Sequence, residues 1–260
     1  MKGNSMLGWL LIETFGDSKQ PTVIGVGSTA KKMVPLKEIL ARGPGLLDVQ
    51  AAVARARRER GRVEFLSADG RRRTVAVPLE AYSGHLHGVH VWTGPADDPL
   101  PERDPAGAWY FNITTDEIGG SDGLLDLYGE PEEKRRTQRF TAEAFGRLTT
   151  DAGNALALLV NAKPGDDYQA TWTVRRDNGA VRTAHFSTRA IPETTDAGAH
   201  HLVLRGYHSR LRPSRASPSR PTPGRPRTTA PRKHRRTWRT PRPVQPAHPA
   251  GNAMDRPAPA

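Results

Sequence analysis

Residues 165–206 read GDDYQATWTVRRDNGAVRTAHFSTRAIPETTDAGAHHLVLRG. Two runs of strand-forming residues, 168–176 and 181–190, flank a turn made of Asp177, Asn178 and Gly179. Such a turn between two strand-like runs is a strong local signal for an antiparallel hairpin. A further strand is expected at 200–205. Alternate positions place Tyr168, Trp172, Val174, Ala184, Phe186, Leu202 and Leu204 on one inward face, because side chains along a strand alternate between its two sides.

Upstream, AWYFNIT at 108–114 reads as a strand with Trp109, Phe111 and Ile113 on one face. Between it and the hairpin lie short turns and helices, expected at 123–128, 142–148 and 154–160. The run EPEEKRRTQR at 130–139 sets acids before bases, which suits an exposed helix laced by i,i+4 pairs.

The first half repeats this grammar. Strands are expected at 8–15 and 21–27, then helices at 34–41 and 46–59. Leu46, Val49, Val53 and Ala56 give the second helix its apolar stripe, and Gly61 is expected to stop it. A hairpin follows at 62–67 and 72–79 around Asp69 and Gly70, then a strand at 85–92. WLLIET aligns with WYFNIT, and HLHGVHVW with HHLVLRGY, a weak internal repeat with a period near 100 residues. A Pro- and acid-rich linker, DDPLPERDPA at 97–106, separates the halves. The fold class expected is α+β: two modules, each a mostly antiparallel sheet with helices on one face.

Charge divides the chain differently. Residues 209–260 hold thirteen Lys/Arg, one acid and twelve of the 23 prolines, and so carry the whole net charge of +12. Residues 1–208 are neutral. The basic stretch has no apolar period and is expected to be disordered. As a selected arm it would hold nucleic acid by counterion release, centred on Arg232, Lys233, Arg235, Arg236 and Trp238. Its Pro, Arg, Ala, Thr and Ser composition is also what GC-rich DNA encodes out of frame.

The chain has no cysteine, which excludes disulfides, thiolate metal sites and cysteine nucleophiles. The apolar run near its start is too short to span a membrane. His85, His87 and His90 form H-x-H-x-x-H. On a regular strand the first two share a face and the third faces away, so a shared metal would need a bulge. His185 is expected to point outward. Gly25–Lys31 looks like a phosphate loop but lacks its spacing, and a strand-ending turn explains it better. No nucleophile, base and orienting group come together, so no enzyme is expected.

The stretch 165–206, with its Asp-Asn-Gly turn and terminal Leu-x-Gly, resembles the final hairpin and strand of a PAS domain. AWYFNITTDEIGGSDGLLDLYG resembles the first PAS strands and the start of the helical region. The resemblance covers 107–206; PAS-like and GAF-like assignments both fit the first half. Together with the opening WLLIETFGD, the chain is similar to an actinobacterial, mycobacterial-type family of triple sensor-domain proteins with a central PAS domain.

That resemblance implies a non-catalytic cytoplasmic sensory or regulatory protein. Its partners would be an unidentified small molecule or signalling protein, with homodimerisation compatible and no membrane. It leaves any cofactor unknown and supplies no ligand residues. The expected organisation is 1–96 sensor module, 97–106 linker, 107–208 PAS-like domain and 209–260 tail. A frameshift near Gly206 is expected to have replaced the third domain. Candidate pocket-lining residues, read from the inward face, are Trp109, Phe111, Ile113, Trp172, Phe186 and Leu204; a filled core would use the same residues.

Overall fold

The first half forms β1 (Leu10–Glu13), β2 (Thr22–Val26), β3 (Thr29–Pro35), α1 (Leu36–Leu40), α2 (Pro44–Glu59), β4 (Val63–Leu66), β5 (Arg72–Glu80) and β6 (Leu86–Pro95). The second forms β7 (Ala106–Asn112), β8 (Glu117–Gly120), α3 (Asp122–Tyr128), β9 (Gln138–Phe140), α4 (Thr141–Phe145), α5 (Ala152–Asn161), β10 (Asp167–Arg175), β11 (Val181–Thr194) and β12 (His200–Arg210). The computed structural model describes residues 8–15, 21–41, 44–136, 138–149 and 151–210. Arg232, Lys233, Arg235, Arg236 and Trp238, with the rest of 211–260, lie outside the described residues.

The strands make two six-stranded antiparallel sheets, ordered β3-β2-β1-β6-β5-β4 and β9-β8-β7-β12-β11-β10. Counted within each half, the two orders are the same. The weak sequence repeat is therefore a repeat of topology, and in each sheet the first strand of the half pairs with its last.

Three local differences from the sequence reading have physical causes. The residues expected to open a helix at 34 instead close a hairpin. Val34 pairs with Val23 and Pro35 with Thr22, so only Leu36–Leu40 is left for α1. Helix α2 ends on Arg60, not on Gly61. Arg60 takes the left-handed conformation (φ 56°) while its N–H donates to the Ala56 carbonyl at 2.9 Å. The last strand runs through Ser209 and Arg210, two residues into the stretch read as tail, because its pairing with β11 and β7 continues there.

Each sheet has two buried faces. Leu10, Ile12, Val63, Val89 and Val91 face α2, whose Val49, Ala52, Val53 and Ala56 are buried against them. Trp109, Phe111, Phe186 and Leu204 face Leu124 of α3 and Ala155 of α5. The faces away from the helices meet each other. Leu11, Phe15 and Ile24 from the first sheet pack with Ala108, Tyr110, Val203 and Tyr207 from the second. The layers run helix, sheet, sheet, helix.

Polar side chains also lie between the sheets. Glu13 is 1% exposed and its Oε1 accepts from Arg189 at 3.2 Å. Burial pushes the Glu13 pKa up, and the Arg189 guanidinium opposes that shift. The two ring nitrogens of His87 each lie 3.1 Å from a carbonyl oxygen, one of His85 and one of Trp109 in the other sheet. Burial pushes the His87 pKa down to about 4, so the ring is neutral and donates to one of them.

A bulge places His87 there. The β5–β6 register slips between Leu79, opposite Gly88, and Glu80, opposite Leu86. The extra residue is His87, which reverses the alternation expected of H-x-H-x-x-H. Leu86, Val89 and Val91 thereby face α2, while His87 meets Phe15 and Tyr207 and His90 meets Trp9. His87 and His90 do not converge on a metal. Among the described residues, no group of three or more His, Asp or Glu side chains is placed to hold one.

Beside the bulge, Gly88 leaves room for Tyr207. A Cβ there would lie 2.1 Å from the Tyr207 hydroxyl oxygen and 2.4 Å from the Ile12 carbonyl oxygen, and the carbonyl belongs to a paired strand. Gly88→Ala is expected to lower stability by about 3 kcal/mol, the upper end for overpacking a core. Chemical denaturation of the wild type and variant checks this; a change below about 0.5 kcal/mol would contradict the packing described.

Candidate functional site

The helix-covered face of the second sheet is not fully filled. A cavity of about 100 Å³ lies between that face and α3, α4 and α5. Trp109 and Phe111 of β7, Trp172 of β10 and Leu204 of β12 contribute from the sheet, and Leu124, Phe145, Leu148, Ala155 and Leu159 from the opposite side. Four of the six candidate pocket residues therefore line it. Phe186 does not: it is fully buried in the sheet core, with its ring centroid 3.6 Å from that of Trp172. Ile113 lies just beyond the end of β7 and packs against the same cluster without lining the cavity.

Helix α3 is held firmly at both ends. The Ser121 hydroxyl oxygen accepts from the Leu124 N–H at 3.4 Å and from the Ala108 N–H at 3.0 Å, tying the helix start to β7. Gly129 ends the helix with φ 66°, which a residue without Cβ adopts at little cost. Its N–H donates to Asp126, and the Glu130 N–H reaches back to the Leu125 carbonyl at 2.9 Å. This turn delivers the Glu130 side chain to the cavity.

Glu130 is 4% exposed. Its Oε1 accepts from Arg139 of β9, and its Oε2 from Arg147 at 3.1 Å. Arg147 also pairs with Asp177 in the hairpin turn and lies 5.0 Å from the Tyr128 ring centroid. The run 130–139 is thus no solvated helix. It contains a single 3-10 turn, Glu132–Lys134, and the start of β9, because both ends of the run are committed to the cavity. Nothing local in the sequence marks Glu130, Arg139 and Arg147 as a set; Arg147 joins them only once α4 has turned the chain.

Tyr128 and His208 form a second polar pair on the cavity wall, Oη to Nδ1 at 2.8 Å. Burial pushes the His208 pKa down to about 3 and the Tyr128 phenol well up, so the tyrosine donates to a neutral imidazole. His185, on the neighbouring strand, is half-buried beside Thr171 and Ser187 and does not line the cavity.

An imidazole whose folded pKa lies below its unfolded value destabilises the fold on acidification. The unfolded state takes up the proton near pH 6.5 and the folded state does not, so stability falls as pH drops from about 6.5 toward 4. Glu13, shifted upward, acts in the opposite direction. His208→Asn is therefore expected to flatten the wild-type slope by about 1.4 kcal/mol per pH unit in that window. Denaturation series at several pH values check the difference; parallel slopes would place a charged histidine in the folded wall.

Comparisons with known proteins agree with this architecture. The model of the Rv3651-like N-terminal domain matches residues 8–102, and that of the Rv3651-like middle domain matches 106–211. The crystal structure of an uncharacterised protein from Mycobacterium tuberculosis is similar, with 29% identity and a TM-score of 0.72, over 80% of this chain and 64% of that one. This chain therefore spans less than two thirds of that protein. Lower similarity extends to a sensory box histidine kinase/response regulator from Burkholderia thailandensis (18% identity, TM-score 0.31, 42% of this chain and 78% of that one). It extends also to the N-terminal domain of a diguanylate cyclase with PAS/PAC sensor from Marinobacter aquaeolei (16% identity, TM-score 0.32, 41% and 94%). No protein of curated function matches the chain. On the two domain matches, which adjoin and together take in both sheets, the chain belongs to the Rv3651-like family.

Proposed function

We propose that this chain is a non-catalytic, cytoplasmic sensory protein whose second module binds a small, largely apolar molecule. The observation that carries the reading is the cavity of about 100 Å³ walled by Trp109, Phe111, Trp172 and Leu204. The pocket is partly open to solvent and its wall is mostly apolar, which makes it a ready site for an apolar guest. The cavity's polar groups are largely paired with one another rather than set out as nucleophile, base and orienting group, which supports binding without chemistry. Among the described residues no helix is long and apolar enough to cross a membrane.

Small apolar compounds soaked into the whole chain are expected to raise its melting temperature and to quench tryptophan emission. Leu204→Trp, which fills the cavity from its floor, is expected to weaken both effects at least tenfold. A wild type that responds to none of a panel of compounds up to about ten heavy atoms, or a filled variant that responds equally, would overturn the reading.

A further inference from the structure

We infer that His208 holds the guest of this cavity by a hydrogen bond from its Nε2–H, and that the guest is a neutral molecule bearing a carbonyl-type acceptor; the inference rests on the cavity being a binding site. His208 lies on the cavity wall and is 6% exposed. Its Nδ1 is engaged by the Tyr128 hydroxyl at 2.8 Å. Among the described residues no other acceptor takes the Tyr128 proton, so the phenol donates and Nδ1 accepts. A neutral imidazole with an accepting Nδ1 carries its proton on Nε2. The tyrosine thus sets the tautomer and makes Nε2 a donor.

That donor is unused. Among the described residues Nε2 has no hydrogen-bond partner. Trp109 Nε1 and Arg139 Nε also lack partners, but both are sealed so closely that no guest atom reaches them. His208 Nε2 is not sealed in this way. A water molecule there would need about 2–4 polar partners to be well held, and Phe111, Leu124 and Leu204 on the same wall offer none from their side chains. An acceptor carried by an apolar guest therefore meets a donor that water satisfies poorly.

Charge argues for a neutral guest. Glu130 holds Arg139 and Arg147, and Glu143 reaches Arg139 at 3.7 Å. Arg136, the remaining charged lining residue, is exposed. The charges buried in the wall are thus matched among themselves. An ionic head group would lose its hydration without gaining a free counter-charge, which costs far more than burying a carbonyl. The guest class is a small ketone, aldehyde or ester, its apolar part against Trp172 and Leu204.

The test uses cyclopentanone and methylenecyclopentane, which differ only in C=O against C=CH2, with butyrate as an anion of like size, all on the whole chain. Water solvates the ketone better, so the measure is the affinity ratio of ketone to hydrocarbon. Tyr128→Phe/His208→Phe, which replaces the polar pair by apolar rings, is expected to lower that ratio about tenfold. It is also expected to move the infrared carbonyl band of bound cyclopentanone to higher frequency. Tyr128→Phe alone, which releases the tautomer, is expected to lower the ratio by less. Butyrate is expected to bind more weakly than cyclopentanone. An unchanged ratio and carbonyl band in both variants, or tighter binding of butyrate, overturns the inference while leaving the cavity a binding site. His208 also borders a second hollow of about 160 Å³, lined in part by Val174, Arg182 and Ala184. Loss of the ketone with Ala184→Leu, which fills that hollow, but not with Leu204→Trp, would place the guest there and likewise overturn the inference. Failure of both cyclopentanone and methylenecyclopentane to bind overturns it too; if Leu204→Trp also leaves every apolar probe unaffected, the binding site itself is overturned.

Discussion

The packing of one sheet's open face on the other's is the contact on which the molecule depends. Each module covers only one side of its sheet with helices. Left alone, the first would expose Leu11, Phe15 and Ile24, and the second Ala108, Tyr110, Val203 and Tyr207. A contiguous apolar surface of that kind is rare on a soluble monomer. The two modules therefore solve each other's solvation problem, and the short connection between β6 and β7 keeps the two surfaces close at all times.

Polar groups inside that interface define how the faces meet rather than how strongly. A buried ion pair recovers little beyond its own desolvation, so Glu13 with Arg189 adds little net stability. Loss of the arginine alone would leave a desolvated carboxylate, whereas loss of the glutamate would leave a guanidinium still partly open to water. The contact of His87 with the Trp109 carbonyl joins the sheets at a second point, and that carbonyl lies on a strand whose opposite face floors the cavity. At the edge, Tyr82 donates its N–H to the Gly120 carbonyl at 2.7 Å and its hydroxyl to Asp122, so the first module touches the start of α3, which walls the cavity.

Much of this was legible in the sequence. The hairpin around Asp177, Asn178 and Gly179 declares itself through turn chemistry and alternation, and the doubled topology through the recurring order of strands; the echo of WLLIET in WYFNIT is one residue out of register, since Leu10 and Ile12 take the helix-facing places of Trp109 and Phe111. Trp109, Phe111, Trp172 and Leu204 were recoverable because strand alternation sorts inward from outward residues. Three strands escape the pattern: β3 and β9 lie at sheet edges, are short or polar, and draw their stability from a single neighbour, and β8 has only four residues, two of them glycine. Bulges leave no local signature, so the sides taken by His87 and His90 were misassigned. Glu130, Arg139 and Arg147 escaped because an acid-then-base run looks solvated until the tertiary fold buries its first residue.

A strand buried on both faces has no idle positions. Every residue of Leu10–Glu13 and of Ala106–Asn112 is buried, so each is shaped by neighbours on one side or the other. A change in volume at any of them must be answered by a change across a layer boundary, in a helix or in the opposite sheet. The central strands of this architecture should accordingly diverge in coupled pairs and slowly, while the outer strands, with faces open to water, absorb independent change. A relative at 29% identity can thus keep the same layered frame, provided that differences fall mainly where one residue can vary without asking another to follow.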